Sequence, residues 1–396
     1  MKILSVNAGS SSLKFKAYEM PKEEVLASGN FERIGIEGSF YTIKVNGEKI
    51  KKECKLKSHK EAFETLMKEL KELKVIESFD EIKGVGHRIV QGADHYDKSV
   101  IATKEVIKDI EDLAPLAPLH NGPAVSGIKA AEKVIPDATH VVVFDTAFHQ
   151  TMPEYNYLYA LPMDWYRENH VRRYGAHGTS HKYITEKMHD ILGEDKKLII
   201  CHIGSGASIT AVENGKCVNT SMGFTPNAGL IMGTRCGDID ATIIPYIMEQ
   251  RNLSAEDINN ILNKESGVAA ITEKYSDMRD VRTGIEKEEE ECILAMDMYI
   301  RRIVSYIARY YFELKGADAI IFTAGVGENG REEREAILES LDFLGVKIDK
   351  NKNNDIAGFR DIQEGRITKD DSTIAAYVIP TDEEVMIARD TYNYCL

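Results

Sequence analysis

The chain has 396 residues, of which 43% are hydrophobic and 29% charged, a composition typical of a globular protein long enough for two domains. The formal net charge of −14 argues against nucleic acid as a main partner, and no apolar run approaches the ~20 residues of a membrane span. The six cysteines are scattered without a C-x-x-C pair, and the first residues lack the pattern of a signal peptide. We therefore expect a cytoplasmic protein with neither a membrane nor a nucleic-acid partner.

The first segment, MKILSVNAGSSSLKF, predicts two strands joined by a Gly/Ser turn. Residues 3–6 form an apolar run, and the alternation of apolar and polar residues resumes at Leu13. The turn at 7–12 has two interpretations. It is either the plain connection of a hairpin or a loop whose backbone N–H groups and serine hydroxyls hold a phosphate.

Strand-like and helix-like segments alternate along the rest of the chain, which predicts an α/β fold. A helix is predicted over 58–73, where Ser58 and Glu61 have the spacing of a capping box, and a long helix over 292–314. Short apolar runs predict buried strands at 3–6, 140–144, 197–203 and 319–324.

The strand–turn–strand pattern of the N-terminus occurs a second time. ILSVNAGSSSLKFKAYE resembles LIICHIGSGASITAVENG at 198–215, with its turn at 204–206, and a third glycine turn at 325–329 is predicted to open a helix. No Walker A sequence occurs, and the third turn lacks the last glycine of a Rossmann fingerprint. Three anion-binding turns on two related halves match the actin, sugar-kinase and chaperone superfamily. We therefore expect two duplicated domains of the actin/hexokinase-like (ribonuclease H-like) ATPase fold, with a nucleotide cleft between them.

Four polar residues follow glycines or end a predicted strand. Arg88 lies in GVGHRIVQG, Asp145 follows the strand at 140–144, His177 lies between two glycines, and Arg235 lies in MGTRCGDIDA. Each alone is explained by a cap, a backbone contact or a surface ion pair. Together they indicate phosphoryl transfer, because fixed positive charge stabilises the transferred group and carboxylates hold Mg²⁺.

The last predicted helix begins in TDEEVMIARDTY. Thr381 and Glu384 have the spacing of a capping box, which gives Glu384 a structural role. Glu383 is then left at the helix start as the metal candidate.

The chain resembles the acetate kinase family over essentially its full length. The matching motifs, in family order, are NAGSSSLKF, GHRIVQG, PLAPLHN, FDTAFHQTMP, RRYGAHGTSHKY, MGTRCGDID, the Asp-Met-Arg of YSDMRD, GVGENGREER and TDEEVMIARDT. The resemblance implies a homodimeric, Mg²⁺-dependent enzyme, with Mn²⁺ as an alternative metal, that interconverts ATP plus acetate with ADP plus acetyl phosphate. It also implies an N-terminal domain over 1–147, completed by a helix at 383–396, and a nucleotide-binding domain over 148–382.

The resemblance also assigns roles to individual residues. A carboxylate substrate is already ionised at neutral pH, so we expect the catalytic aspartate to orient Mg²⁺ or an arginine rather than to accept a proton. The implied catalytic residues are Asp145, His177 and Arg235; the substrate-binding residues are Arg88, Val90, Leu119, Ala176 and Pro226; the nucleotide-binding residues are Ser10, Ser12, Lys14, His202, Ile203, Gly204, Ser205, Gly206, Asp277, Met278, Arg279, Gly325, Val326, Gly327, Glu328 and Asn329; and the metal ligands are Asn7 and Glu383.

The main departure from the family pattern is Ala176, where many members have phenylalanine. A kinase that prefers propionate or butyrate is therefore the alternative function. An ATP-binding assembly or chaperone protein needs the phosphate loops but not the four polar residues above. A sugar kinase needs several hydroxyl-binding groups, whereas PLAPLHN and Val90 predict a small apolar pocket.

Overall fold

The computed structural model describes residues 1–117, 120–359 and 362–396. These residues form two compact units. Unit 1 contains Met1–Phe148 and Asp382–Leu396, and unit 2 contains His149–Thr381. Within the described ranges, no helix combines the length and the apolar character that crossing a membrane requires.

Unit 1 is built on one mixed sheet with helices packed against it. Its strands are β1 (Lys2–Ala8), β2 (Ser12–Glu19), β3 (Glu24–Glu32), β4 (Phe40–Val45), β5 (Glu48–Glu53), β6 (Ile82–Ile89), β7 (Val100–Ile101) and β8 (Thr139–Phe144), and its helices are α1 (His59–Glu72), α2 (Lys104–Asp112), α3 (Asn121–Val134) and α15 (Glu383–Cys395).

Unit 2 has a second sheet and more helices. Its strands are β9 (Lys197–Ile203), β10 (Ala207–Glu213), β11 (Lys216–Thr220), β12 (Ala319–Thr323), β13 (Gly365–Arg366) and β14 (Ala375–Val378), and its helices are α4 (Glu154–Tyr157), α5 (Met163–Asn169), α6 (Gly178–Leu192), α7 (Ile243–Arg251), α8 (Ala255–Lys264), α9 (Gly267–Thr272), α10 (Met278–Glu286), α11 (Glu290–Glu313), α12 (Ala324–Asn329), α13 (Arg331–Glu339) and α14 (Lys350–Asp355).

The two sheets share one topology. Unit 1 has the strand order β5-β4-β3-β2-β1-β6-β8-β7, and unit 2 has β11-β10-β9-β12-β14-β13. In each, an antiparallel hairpin, β1–β2 or β9–β10, is followed by two strands parallel to its first strand. The five strands β3-β2-β1-β6-β8 therefore correspond to β11-β10-β9-β12-β14. This repeat confirms the predicted α/β fold with two duplicated domains of the actin/hexokinase-like type.

The four predicted buried strands are confirmed as β1, β8, β9 and β12. Each is an apolar run because helices pack against its sheet, and the interior of β9 is fully buried. Helix α1 begins where predicted, with the Ser58 side chain accepting from the Glu61 amide, although the Glu61 carboxylate accepts from the Lys57 amide rather than from Ser58. The long predicted helix is α11, whose first turn contains Glu290 and Glu291.

Candidate active site

In unit 1, polar side chains gather at the carboxyl edge of the parallel strands. Asn7 lies near the end of β1 and pairs in register with Lys14 of β2, Arg88 lies one residue before the end of β6, and Asp145 follows β8. Because β1, β6 and β8 are parallel neighbours, their carboxyl ends meet at one edge of the sheet. The topology therefore brings together three residues that are far apart in sequence.

Helix α15 brings a fourth residue to this edge. Gly86 has no side chain between the sheet and the helix, and a Cβ there would overlap the side chains of Ile387 and Thr391. Side chains at every second strand residue share a face, as do side chains four apart on a helix. Arg88 lies two residues after Gly86, and Glu383 lies four before Ile387. The glycine thus lets α15 lie close enough for Glu383 to approach Arg88.

Arg88 and Asp145 form a buried ion pair. Arg88 Nη2 lies 2.5 Å from Asp145 Oδ2, and the Asp145 side chain is fully buried. Arg88 Nε lies 3.9 Å from Glu383 Oε2 and has no hydrogen-bond partner among the described residues. Burial works against the Arg88 cation, but the Asp145 and Glu383 charges more than offset it and raise the pKa of Arg88. Asp145 therefore holds Arg88 in place in the structure, and its role in catalysis stays a prediction.

Burial and neighbouring carboxylates raise the pKa of Glu383. Burial raises its pKa to about 7, the Arg88 charge opposes that shift, and the carboxylates of Asp145, Glu384 and Asp382 add to it. A group with this excess of negative charge and oxygen donors has the chemistry that Mg²⁺ prefers. Among the described residues, no cluster of three or more His, Cys, Asp or Glu side chains has the geometry of a metal site.

The predicted capping box of Thr381 and Glu384 is wrong. The cap of α15 is Asp382, whose side chain accepts from the Val385 amide at 3.1 Å. The Thr381 hydroxyl instead bonds to Ser180 at 2.8 Å. Glu384 lies 3.3 Å from Lys16 in a partly exposed ion pair. Aspartate caps a helix as well as threonine does, and here it occupies the position at which the helix begins.

In unit 2, two predicted catalytic side chains converge on one glycine. A Cβ added to Gly206 would lie 3.5 Å from Arg235 Nη1 and 3.5 Å from His177 Nε2. Arg235 Nη1 also donates to the Pro226 carbonyl at 3.0 Å, and burial lowers the pKa of Arg235. The Gly204 amide donates to the Gly206 carbonyl at 3.1 Å, which closes the turn between β9 and β10. The second predicted phosphate turn thus has an arginine and a histidine beside it.

Contacts that the sequence did not reveal hold His177 in place. His177 precedes α6 with a left-handed φ of 58°, and its Nδ1 lies 3.0 Å from Ser208 Oγ. Its ring stacks on that of His202, with 4.0 Å between centroids and 23° between planes. His202 Nδ1 lies 2.8 Å from Ser180 Oγ. The alternation of apolar and polar residues in β10 would have placed Ser208 on a solvated face, whereas the strand is buried from Ala207 to Val212, and nothing local indicated which side chain Ser208 contacts.

The predicted nucleotide segments line one cavity of about 950 Å³ within unit 2. Of the predicted residues, those that line it are Gly204, Ser205, Asp277, Met278, Arg279, Gly325, Val326, Glu328 and Asn329. His202, Ile203, Gly206 and Gly327 neighbour these segments in sequence but do not line the cavity. Asp277 caps α10 and bonds to Arg279, which lowers the pKa of Asp277. The cavity also has lining residues that the sequence analysis missed, among them Arg282, Thr283, Tyr299 and Arg331.

The third predicted turn differs from expectation, because 325–329 lies within the short helix α12 rather than before a helix. A buried arginine fixes this segment. Arg334 Nη1 donates to the Gly327 carbonyl at 2.9 Å and the Glu328 carbonyl at 2.8 Å, while its other nitrogens bond to Asn353 and to the Ile356 carbonyl. Burial lowers the pKa of Arg334 to about 10. Arg334 is part of the GVGENGREER motif, but its structural role was not predicted.

The other predicted substrate and nucleotide residues differ in how far they are exposed. Ser10 and Lys14 are exposed, Ser12 and Val90 are partly buried, and Leu119 lies outside the described residues. The Ala176 side chain is 4% exposed and belongs to the hydrophobic core of unit 2, and its carbonyl accepts a hydrogen bond from His149 at 3.0 Å. The assignment of these residues to substrate or nucleotide stays a prediction.

The sequence is similar to those of known acetate kinases over nearly its whole length. A sequence model described as the Acetokinase family matches residues 2–389. An acetate kinase from Bacillus cytotoxicus is 50% identical over 392 residues, which cover 98% of each chain. An acetate kinase from Macrococcus caseolyticus is 48% identical over 396 residues, covering 99% of this chain and 98% of that protein.

Solved structures agree with the sequence comparison. The crystal structure of Porphyromonas gingivalis acetate kinase superposes with a TM-score of 0.93 at 44% identity, with 99% of each chain covered. That of a propionate kinase from Francisella tularensis superposes with a TM-score of 0.92 at 39% identity, again with 99% of each chain covered.

Proposed function

This chain belongs to the acetokinase family and has the activity of an acetate kinase, and from that premise we propose which of its residues perform each step. The reaction transfers a phosphoryl group from ATP to the carboxylate of acetate. The observation that carries the proposal is the turn at 204–206. Gly204 and Ser205 line the 950 Å³ cavity, while Gly206 faces both His177 and Arg235. A nucleotide in the cavity with its phosphates at this turn presents them to a guanidinium and an imidazole.

We propose that ATP and ADP bind in the cavity of unit 2. Its volume is within the range of small-molecule sites. The phosphates lie at Gly204 and Ser205, because a turn without bulky side chains lets backbone approach an anion closely. The adenosine lies along the segments that contain Arg279 and Asn329. Asn329 Nδ2 donates to the Gly325 carbonyl, and its Oδ1 accepts from the Gly358 amide at 3.0 Å, so the amide fixes two parts of the wall.

Arg88 is the proposed carboxylate-binding residue. Asp145 orients its guanidinium through Nη2, and Nε is a buried donor that no described residue satisfies. A substrate carboxylate supplies the missing acceptor, and arginine binds carboxylates well because its N–H groups lie in one plane. Asp145 therefore positions the group that binds acetate.

His177 and Arg235 are proposed to stabilise the charge of the group in transfer. In phosphoryl transfer, that charge spreads over three oxygens, and fixed donors lower the barrier because they need no rearrangement during the reaction. The hydrogen bond from Arg235 to the Pro226 carbonyl and that between His177 and Ser208 fix the two side chains before substrate binds.

Mg²⁺ is proposed to accompany the nucleotide, with Glu383 and Asn7 as the protein ligands. The fit rests on the donor set. Burial is the main cause that raises the Glu383 pKa to about 7, the nearby carboxylates add to it, and these carboxylate oxygens favour a cation there. Bound Mg²⁺ would neutralise phosphate charge. Mn²⁺ accepts the same oxygen donors and is the alternative.

A cytoplasmic homodimer is the proposed assembly. Unit 2 exposes large apolar side chains on three helices: Trp165 of α5 is 47% exposed, Tyr246 of α7 64%, and Leu294 of α11 54%. A second copy of the chain packed on these helices would bury these side chains. Light scattering of wild type and Leu294→Glu tests this assembly, because a mass of one chain for the wild type would contradict it.

Hydroxamate trapping of the acyl phosphate tests the proposed residues. With ATP and acetate, we expect Arg235→Ala and His177→Ala each to lower kcat roughly a hundredfold or more while leaving the affinity for ATP nearly unchanged. Near-normal turnover in Arg235→Ala would contradict the assignment. The same assay with propionate and butyrate tests acyl preference, since Ala176 replaces a larger family residue and the Francisella tularensis propionate kinase has the same fold.

A further inference from the structure

Ser208 bridges two imidazole rings in unit 2. Its hydroxyl lies on β10, fully buried, 3.0 Å from His177 Nδ1 and 2.8 Å from His181 Nε2. A hydroxyl has one hydrogen, so between two neutral rings it donates to one nitrogen and accepts from the other. The direction of these two hydrogen bonds decides which nitrogen of His177 carries the proton.

His181 settles that direction. Its side chain is fully buried, and its Nδ1 has no hydrogen-bond partner within the described part of the chain. Burial, together with the neighbouring His149 and His202, lowers the pKa of His181 well below its ordinary value, so the ring is neutral and carries one proton. A proton on Nδ1 would leave a buried N–H without an acceptor, which is rarer and costlier than an unpaired acceptor. The proton therefore lies on Nε2, and His181 donates to Ser208.

We propose that His181 and Ser208 form a hydrogen-bond relay that holds His177 as the tautomer protonated on Nε2. Ser208 accepts from His181 and donates to Nδ1 of His177, so the ring proton of His177 is left on Nε2. That nitrogen lies 3.5 Å from the position of a Cβ on Gly206, beside Arg235. His181 and Ser208 are positioning residues, because they act only through His177.

The tautomer matters for the proposed reaction. An Nε2–H group donates to a phosphoryl oxygen, whereas the other tautomer turns a lone pair toward it and repels it. This consequence rests on the proposed role of His177. The tautomer itself is a property of the protein without substrate, so the two ideas can be tested separately.

The test is ¹⁵N NMR of protein labelled at histidine, recorded without substrate. The chain has 11 histidines, and the His177 signals are assigned by their loss in His177→Gln. Ser208→Ala removes the relay. Thr210→Val is the matched control, because Thr210 is a buried hydroxyl two residues along β10 that bonds to Thr220 Oγ1 at 2.8 Å. Circular dichroism and melting of each variant accompany the NMR and the acetate kinase assay.

In wild type, we expect a pyrrole-type Nε2 and a pyridine-type Nδ1 for His177. In Ser208→Ala, His177 becomes a mixture of tautomers and kcat falls at least about tenfold with little change in KM for ATP. Thr210→Val changes neither quantity. A proton on Nδ1 of His177 in wild type, which needs no variant to fold, would overturn the relay, as would an unchanged tautomer in Ser208→Ala. Full activity in His177→Gln would instead overturn the proposed function and leave the NMR result standing.

Discussion

Replacing Arg88 with glutamine tests the charge balance at the carboxyl edge of unit 1. Arg88 is in direct contact with Asp145, whose side chain is fully buried, and its Nε lies 3.9 Å from Glu383 Oε2. Glutamine keeps a polar side chain of similar length but removes the charge. The substitution therefore removes the Arg88 charge from beside a buried aspartate and lets the pKa of Glu383 rise above about 7.

The loss of stability expected for Arg88→Gln follows from the burial of the ion pair. Removing one member of a buried ion pair destabilises a protein by about 3–5 kcal/mol, because the remaining buried charge loses its counter-ion. The Arg88 side chain is 20% exposed and that of Asp145 is 0% exposed, so solvent screens the pair little. For a unit of this size, 1 kcal/mol corresponds to roughly 2–4 °C in Tm. We expect Tm to fall by at least about 6 °C.

Lys16→Gln is the control for the loss of a cation from the same cluster. Lys16 contacts Asp382 and Glu384, but these side chains are 28–38% exposed. Partly exposed ion pairs contribute about 1 kcal/mol or less. Calorimetry of both variants should therefore show a large shift for Arg88→Gln and a small one for Lys16→Gln.

A double-mutant cycle with Asp145→Asn decides whether the loss of the counter-ion to the Asp145 charge is the cause of the lower stability. In Arg88→Gln with Asp145→Asn, two neutral amides replace the two charges, and we expect about 2 kcal/mol or more of the stability to return. Additive losses in the double variant would refute the reasoning, because they would show that the two side chains stabilise unit 1 independently.

The remaining predictions concern the metal, the cavity wall and pH. Glu383→Gln should raise the Mg²⁺ concentration needed for half-maximal rate, whereas Glu384→Gln, which loses only a partly exposed pair, should stay within about twofold of wild type in a Mg²⁺ titration. Arg334→Lys should weaken ATP binding in calorimetry and lower Tm, because one ammonium group cannot reach the five acceptors to which the guanidinium bonds. An unchanged ATP affinity would contradict the role of Arg334 in holding the cavity wall. Burial lowers the pKa of His87 and His181 well below ordinary values, so at acidic pH the unfolded chain binds protons that the folded chain does not bind. As pH falls below ~6.5, each ring should therefore lower the free energy of unfolding by about 1.4 kcal/mol per pH unit. Urea unfolding between pH 7.5 and 5.5 should show a smaller loss in His87→Gln than in wild type, and equal losses would refute the linkage.

The sequence predicted the elements whose signals are local. An apolar run such as HVVVF, or a turn between two alternating segments, depends on neighbouring residues only, so the buried strands and the repeat of the first hairpin could be recognised. The start of α15 was misassigned because Thr381 and Asp382 are adjacent and both residue types cap helices. Local spacing could not decide between them, since the Thr381 hydroxyl is bonded to Ser180, 201 residues away.

Contacts between distant segments carried no signal that one sequence could reveal. Ser208 is 31 residues from His177 and 27 from His181 along the chain, and only the packing of α6 against the sheet makes them neighbours. Arg334 looked like a surface residue of a charged helix, yet it is 1% exposed. Its burial depends on carbonyl groups from 327 to 356, which no periodicity predicts.

The repeat explains why the sequence indicated two related edges but not how each is used. Corresponding strands end at corresponding edges: β1, β6 and β8 in unit 1, and β9, β12 and β14 in unit 2. At the ends of the unit 1 strands lie two charged side chains, Arg88 one residue before the end of β6 and Asp145 directly after β8. After β9 and β12 come the turn at 204–206 and α12, which present mostly glycine and backbone. One topology therefore has a charged edge in one copy and an edge of mostly glycine and backbone in the other, so the fold provides the edge and the individual residues decide its chemistry.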